Sequence, residues 1–243
     1  MYHEGVIVLG QKLVLIPGLN NTAETWDGVV KELSPTIEAF PVDVPQLPSI
    51  QDIADTLLKE LPEKFYVCGF SFGGYVALEM LAQAPERIQG ITLMGSLTTA
   101  DSDTQKENRA KSIERAENGE YFEMTEANAP KTFHPDSLEN EELLALRKKI
   151  VEDYGAESYI PHVKAMISRQ DRTQLLKEAK IPKLLIAGET DLVITVDKVK
   201  AVAEQVPDAE FVTISHTGHM IPLEQPAVSA EKLSNWIESV DPQ

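Results

Sequence analysis

Short apolar runs rich in β-branched residues alternate with longer amphipathic stretches along most of this chain. That rhythm limits the folds open to it more than any other feature. The runs are Val6–Leu9, Leu13–Ile16, Ile37–Val42, Phe65–Gly69, Ile91–Met94, Leu184–Ala187 and Phe211–Ile214. Those after the first are mostly apolar on both faces, as strands of a covered parallel sheet must be. Between them lie Ala23–Leu33, Ile50–Leu61, Phe72–Ala84, Val196–Gln205 and Ala227–Val240, whose apolar residues recur at helical spacing. Ser49 followed by Asp52 reads as a helix-start cap, and Pro226 suits a first helical turn. Strand, helix, strand repeated in this way predicts an α/β fold on a doubly wound, mostly parallel sheet.

The rhythm stops across residues 98–180, where 13 basic and 17 acidic residues accompany no convincing strand. Helices are expected there at about Asp103–Glu117, Tyr121–Asn128, Ser137–Asp153, Glu157–Ser168 and Arg172–Ala179. Asn118-Gly119, Pro130, Pro135, Gly155 and Pro161 punctuate them. A helical block between two strands of one sheet reads as an insertion. The expected division is therefore a core of residues 1–97 and 181–243 with a helical cap of residues 98–180.

Composition narrows the partners. The chain has 243 residues, room for one medium domain with a sizeable core. Its 22 Lys and Arg against 39 Asp and Glu leave a net charge of −17. Such a surface repels phosphate backbones and anionic lipid heads, which argues against nucleic acid and membrane as partners. No apolar run is long enough to span a bilayer, and a leader with a basic start is not expected from the first residues given. Cys68 is the single cysteine, so neither an internal disulfide nor a cysteine metal cluster can form. A cytoplasmic location is expected; oligomeric state is not legible. With no phosphate-cradling glycine loop and no helical metal motif, neither a cofactor nor a metal is expected.

The sharpest local feature is Gly69-Phe-Ser71-Phe-Gly73, between an expected strand and an expected helix. In that context Gly-x-Ser-x-Gly puts a serine on a strained strand-to-helix turn, with its hydroxyl lifted above the sheet. A Cβ at Gly69 or Gly73 would collide with the neighbouring strand or helix. The helix N-terminus favours negative charge beside the serine. Without that context, the same pentapeptide would be a glycine-rich connector with a capping serine.

A serine hydroxyl needs a base. Of five histidines, His219 follows the last strand and precedes the last helix, which puts it at the carboxyl edge of the sheet beside Ser71. His216 is an open alternative, more simply a packed or capping residue. His134 and His162, in the insertion, read as surface or cap residues, and His3 lies by the terminus. The base needs an orienting carboxylate, and Asp191 in Gly188-Glu-Thr-Asp follows a strand at the same edge. Glu189, Asp101 and Asp103 remain open alternatives. Two N–H donors for an oxyanion are expected from Phe72, the residue after the serine, and from Leu19 in the loop after Leu13–Ile16. Arg169-Gln-Asp171-Arg172 could either carry charge to the pocket mouth or pair on the surface.

The order Ser71, Asp191, His219, with a strand before each, resembles the α/β-hydrolase superfamily. The likeness covers Leu13 to Ser96 and Ile181 to Trp236. Phe-Ser-Phe-Gly-Gly, Gly-Glu-Thr-Asp and Gly-His-Met-Ile-Pro-Leu-Glu-Gln-Pro are similar to segments of small bacterial carboxylesterase-like members. Many relatives carry His-Gly where this chain has Pro17-Gly18. Many also begin with an antiparallel strand pair, for which few residues exist before Leu13. The resemblance implies a serine hydrolase of small carboxylic esters acting through an acyl-enzyme. It also leaves open thioester, lactone or C–C cleavage on the same residues, and a receptor-like homologue that only binds its ligand.

Overall fold

The computed structural model describes residues 10–241. The expected strand Val6–Leu9 and His3 lie outside the described residues. Six strands form one sheet: β1 (Gln11–Ile16), β2 (Ile37–Pro41), β3 (Phe65–Phe70), β4 (Ile88–Met94), β5 (Lys183–Gly188) and β6 (Ala209–Ile214). Their spatial order is β2-β1-β3-β4-β5-β6, and every neighbouring pair is parallel. All carboxyl ends therefore share one edge. The chain leaves β1 in one direction for β2 and crosses back to β3 on its other side, which opens a crevice at the carboxyl ends of β1 and β3.

The helices are α1 (Asp27–Glu32), α2 (Ile50–Glu60), α3 (Phe72–Gln83), α4 (Asp103–Glu117), α5 (Tyr121–Thr132), α6 (Glu141–Ile167), α7 (Thr173–Glu178), α8 (Val196–Gln205), α9 (Ile221–Glu224) and α10 (Pro226–Val240). The alternation along each strand feeds both faces of the sheet. Val14, Ile16, Val67, Leu93 and Leu185 pack toward α2, α3 and α8. Leu13, Leu15, Cys68, Met94 and Ile186 pack toward α1 and α10. Trp26, Phe65, Phe70 and Phe72 are wholly buried. Each such side chain contributes roughly 1.5–3 kcal/mol from burial. Ser49 caps α2 as expected, its hydroxyl accepting the Asp52 N–H at 3.2 Å.

Between β4 and β5 the described chain forms helices and no strand. Helices α4, α5 and α6 share a small apolar cluster, with Ile113, Met124, Val151 and Val163 at its centre. Two boundaries depart from expectation, and a third falls where it is expected. Helix α5 continues past Pro130 to Thr132: Pro130 has no N–H to give to Glu126 O, but the last turn still closes from Phe133 N–H to Ala129 O at 3.3 Å. Residues Pro135–Glu139 form a separate 3₁₀ turn, and α6 starts afresh at Glu141, where Asn140 Oδ1 accepts the Leu143 N–H. Gly155, at φ 64° and ψ 170°, breaks α6 into two rods. The break at Gly155 is the one the sequence reading expects.

Candidate active site

The turn after β3 is built from glycines that leave no room for alternatives. A Cβ on Gly69 would sit 2.4 Å from Gly73 O, and one on Gly73 would sit 2.3 Å from Ile16 O. Ser71 between them takes φ 49° and ψ −111°, a conformation L-residues rarely adopt, so the serine is held away from ordinary helix geometry. Ser71 N–H donates to Met94 O at 2.9 Å, and Ser96 Oγ donates to Ser71 O at 2.7 Å, which clamps the turn to β4.

His219 arrives from the far end of the sheet. Its N–H and that of Met220 donate to Thr132 O at 2.7 and 3.0 Å, so the loop after β6 rests on the end of α5. The ring lies 5.3 Å from the Phe70 ring, centroid to centroid. His219 Nε2 is 3.0 Å from Ser71 Oγ, across 148 residues of chain. Nδ1 is 2.7 Å from Asp191 Oδ2. Asp191 is itself fixed, because Oδ1 accepts the N–H groups of Val193 and Ile194 at 2.7 and 2.8 Å. The carboxylate therefore has one free oxygen, and it faces the imidazole.

The structure brings Ser71, Asp191 and His219 into one hydrogen-bonded line and leaves the alternatives elsewhere. His216 is exposed, and its N–H donates to Glu189 Oε2 at 3.1 Å. Glu189 thus turns away from His219. Asp101 is buried against Arg109 and Arg169, and Asp103 opens α4 in solvent. Arg169 forms a buried ion pair with Asp101, and the half-buried Arg172 pairs with Glu79, so neither of the two expected arrangements holds. Phe72 is the first residue of α3, where an N–H has no acceptor within the helix. Leu19 lies in the turn after β1; at Gly18, just before it, a Cβ would be 3.2 Å from Ser71 Cβ. The backbone of that turn therefore runs against the serine.

An alpha/beta hydrolase fold model matches residues 43–226. The chain belongs to this family. It is 27% identical over 225 residues to a pimeloyl-[acyl-carrier protein] methyl ester esterase of Nitrosomonas europaea, covering 86% of this chain and 89% of that one. Two solved structures share the α/β-hydrolase fold. A thermophilic esterase from Thermogutta terrifontis superposes with a TM-score of 0.89 at 24% identity, covering 95% of this chain and 90% of that one. An enol-lactonase from Burkholderia xenovorans LB400 gives 0.85 at 20% identity, covering 97% and 93%.

In this α/β-hydrolase fold, a cavity of about 440 Å³ opens beside Ser71 and His219. Leu19, Phe70 and Met220 contribute from the sheet edge, Met124, Val151 and Met166 from the insertion. Leu192 and Val193, exposed apolar residues on the Asp191 loop, also line it. Among the described residues no helix is long and apolar enough to cross a membrane.

Several residues that shape the site escape sequence reasoning. Glu224 Oε2 accepts the His134 N–H and the Ser137 hydroxyl at 2.7 Å each, and Oε1 accepts the Gly218 N–H at 2.9 Å. Burial raises its pKa above the ordinary 4.5. Glu224 stands in the motif that carries His219, but its partners in the insertion leave no mark there. His162 was expected at the surface or at a cap, yet it is buried. Its Nδ1 meets Tyr154 Oη at 2.5 Å, its Nε2 meets Pro45 O at 2.8 Å, and its ring stacks 5.0 Å from Phe72. The ring thus pins α6 to the core beside Phe72, where α3 begins; its short-range pattern resembles that of any helical histidine.

Proposed function

We propose that this chain is a cofactor-free serine hydrolase of small carboxylic esters, working in the cytoplasm, with residues 98–180 as a cap over the core. The observation that carries the reading is the line of hydrogen bonds from Asp191 Oδ2 through His219 to Ser71 Oγ, at 2.7 and 3.0 Å. Ser71 Oγ attacks the ester carbonyl while His219 Nε2 takes its proton. Asp191 keeps the other ring nitrogen protonated and stabilises the imidazolium that results. The amides of Leu19 and Phe72 receive the oxyanion; losing one such donor typically costs about 2.7–4 kcal/mol of transition-state stabilisation. The C–O bond to the alcohol then breaks, His219 protonates the leaving oxygen, and an acyl-Ser71 ester remains. Water, deprotonated by the same nitrogen, releases the acid and restores the serine. Every step uses protein groups and water.

The choice of an ester bond is supported by the names of relatives, a methyl ester esterase and a thermophilic esterase. The test is labelling with a fluorophosphonate, followed by mass spectrometry of the adduct. Modification at Ser71, abolished in Ser71→Ala, is the expected result. An adduct on another residue, or equal labelling of both proteins, would overturn the reading.

A further inference from the structure

The whole chain carries a net charge of −17, yet among the described residues none of the 21 that line the cavity beside Ser71 is Asp or Glu. Three are cationic: Arg109, Lys131 and Arg147. Arg147 is matched, since it pairs with Glu126 and donates to Thr125 O. Arg109 is not. Its Nε and Nη2 approach the two oxygens of Asp101 at 2.5 and 3.3 Å, but Arg169 Nη1 takes the same Oδ1 at 2.8 Å. One carboxylate serves two guanidinium groups. The side chains are 0% exposed at Asp101, 4% at Arg169 and 23% at Arg109, so water does little to balance the surplus.

The two arginines differ in what remains free. Arg169 donates to Thr99 O and Met166 O, lies 4.0 Å over the Tyr75 ring and is not among the residues that line the cavity. Arg109 lines the cavity, and its Nη1 has only the Met166 thioether, at 3.5 Å. A sulfur is a weak acceptor for a charged donor. Asp191 offers nothing to this side, because its oxygens are committed to His219 and two backbone N–H groups. Lys131, in the last turn of α5, adds a second cation that forms no ion pair among the described residues. A largely buried charge that shares its only carboxylate partner is costly unless a further counter-charge reaches it, and the cavity that Arg109 lines offers such an approach.

We propose that the substrate of this site carries a carboxylate remote from its scissile ester, held by Arg109 with Lys131 nearby. The inference deepens the ester-hydrolase reading and rests on it for the bond that is cut. One surplus buried charge fits a monoanion. Met124, Val151, Met166 and Leu192 offer apolar contact to the chain between the two ends. The half-ester of a short dicarboxylic acid has this form.

The test compares kcat/KM for monomethyl and dimethyl esters of the same dicarboxylic acids, from glutarate to suberate. The half-ester is expected to be favoured by about tenfold, the worth of one hydrogen bond to a charged group. Added salt and the variants Arg109→Gln and Lys131→Gln should each shrink that ratio. Lys131 is exposed, so its variant keeps the test open if Arg109→Gln does not fold. Calorimetric binding of both esters to Ser71→Ala reads the same preference without catalysis. Equal turnover of the two esters, with equal binding, would overturn the proposal and leave the hydrolase reading standing. Preferential half-ester binding with no turnover by the wild type would do the reverse.

Discussion

The Glu224 carboxylate accepts the His134 N–H at 2.7 Å and so joins α9 to the start of the 3₁₀ turn in the insertion. Its other oxygen holds Gly218, next to His219. Glu224→Ala would leave three donors without their acceptor. We expect a loss of roughly 2–3 kcal/mol in stability, read from urea unfolding midpoints. Because the His219 loop is released as well, kcat should fall by up to about 10². Wild-type kcat in a variant that has lost this stability would show that the loop holds its place without Glu224.

A pH effect is expected at His162. Burial is the first cause that lowers its pKa below the ordinary 6.5, so the folded state prefers the neutral ring. The unfolded chain then binds the proton more readily. Its contribution to stability is complete above pH 6.5, is lost as pH falls below that value, and levels off beneath the folded pKa. Unfolding midpoints measured from pH 7.5 downward should show this decline, and His162→Gln should flatten it. An unchanged slope in the variant would assign the decline to other groups.

Gly73 and Gly119 should respond differently to alanine. At Gly73 the new Cβ would lie 2.3 Å from Ile16 O, against backbone that cannot move without disturbing β1. A cost of about 3 kcal/mol is expected, with loss of phosphonate labelling at Ser71. At Gly119 nothing lies within 4 Å, and only φ of 85° resists the change. There the cost should be about 1 kcal/mol, with labelling intact. Thermal melts of the two variants decide the matter.

Asp191→Asn tests the orienting carboxylate. The amide can still accept from Val193 or Ile194, but it can no longer hold His219 as a carboxylate does. On the proposed mechanism kcat falls by about 10⁴ while KM changes little. Steady-state kinetics on the preferred ester provide the check; retention of more than a tenth of the wild-type kcat would remove Asp191 from that role.

Much of the fold is legible because its determinants are local. The apolar runs of β1, β3, β4 and β5 are each a few residues long, and their two-sided hydrophobicity already requires a covered parallel sheet. The turn at Ser71 is legible for the same reason, since Gly69 and Gly73 act on backbone within one turn of the serine. The break between Asn140 and Glu141 is not, because Pro135–Glu139 carries helix-compatible residues whose 3₁₀ form is settled by the contacts of His134 and Ser137 with Glu224. His162 is unreadable in another way. A helical histidine looks the same in sequence whether it meets solvent or Pro45 O, 117 residues away.

By itself the sequence determined the α/β architecture, the strained turn at Ser71 and the order in which a serine, an acid and a histidine reach one edge of the sheet. Those follow from local spacing and from the direction shared by parallel strands. Tertiary structure alone decided that Asp191, not Glu189, faces His219, that His216 points to solvent, and that a chain of net charge −17 lines its cavity with cations. The reason is electrostatic and geometric together. A charge acts over a few ångströms, and the partner that neutralises it, or fails to, is chosen by where the folded chain returns.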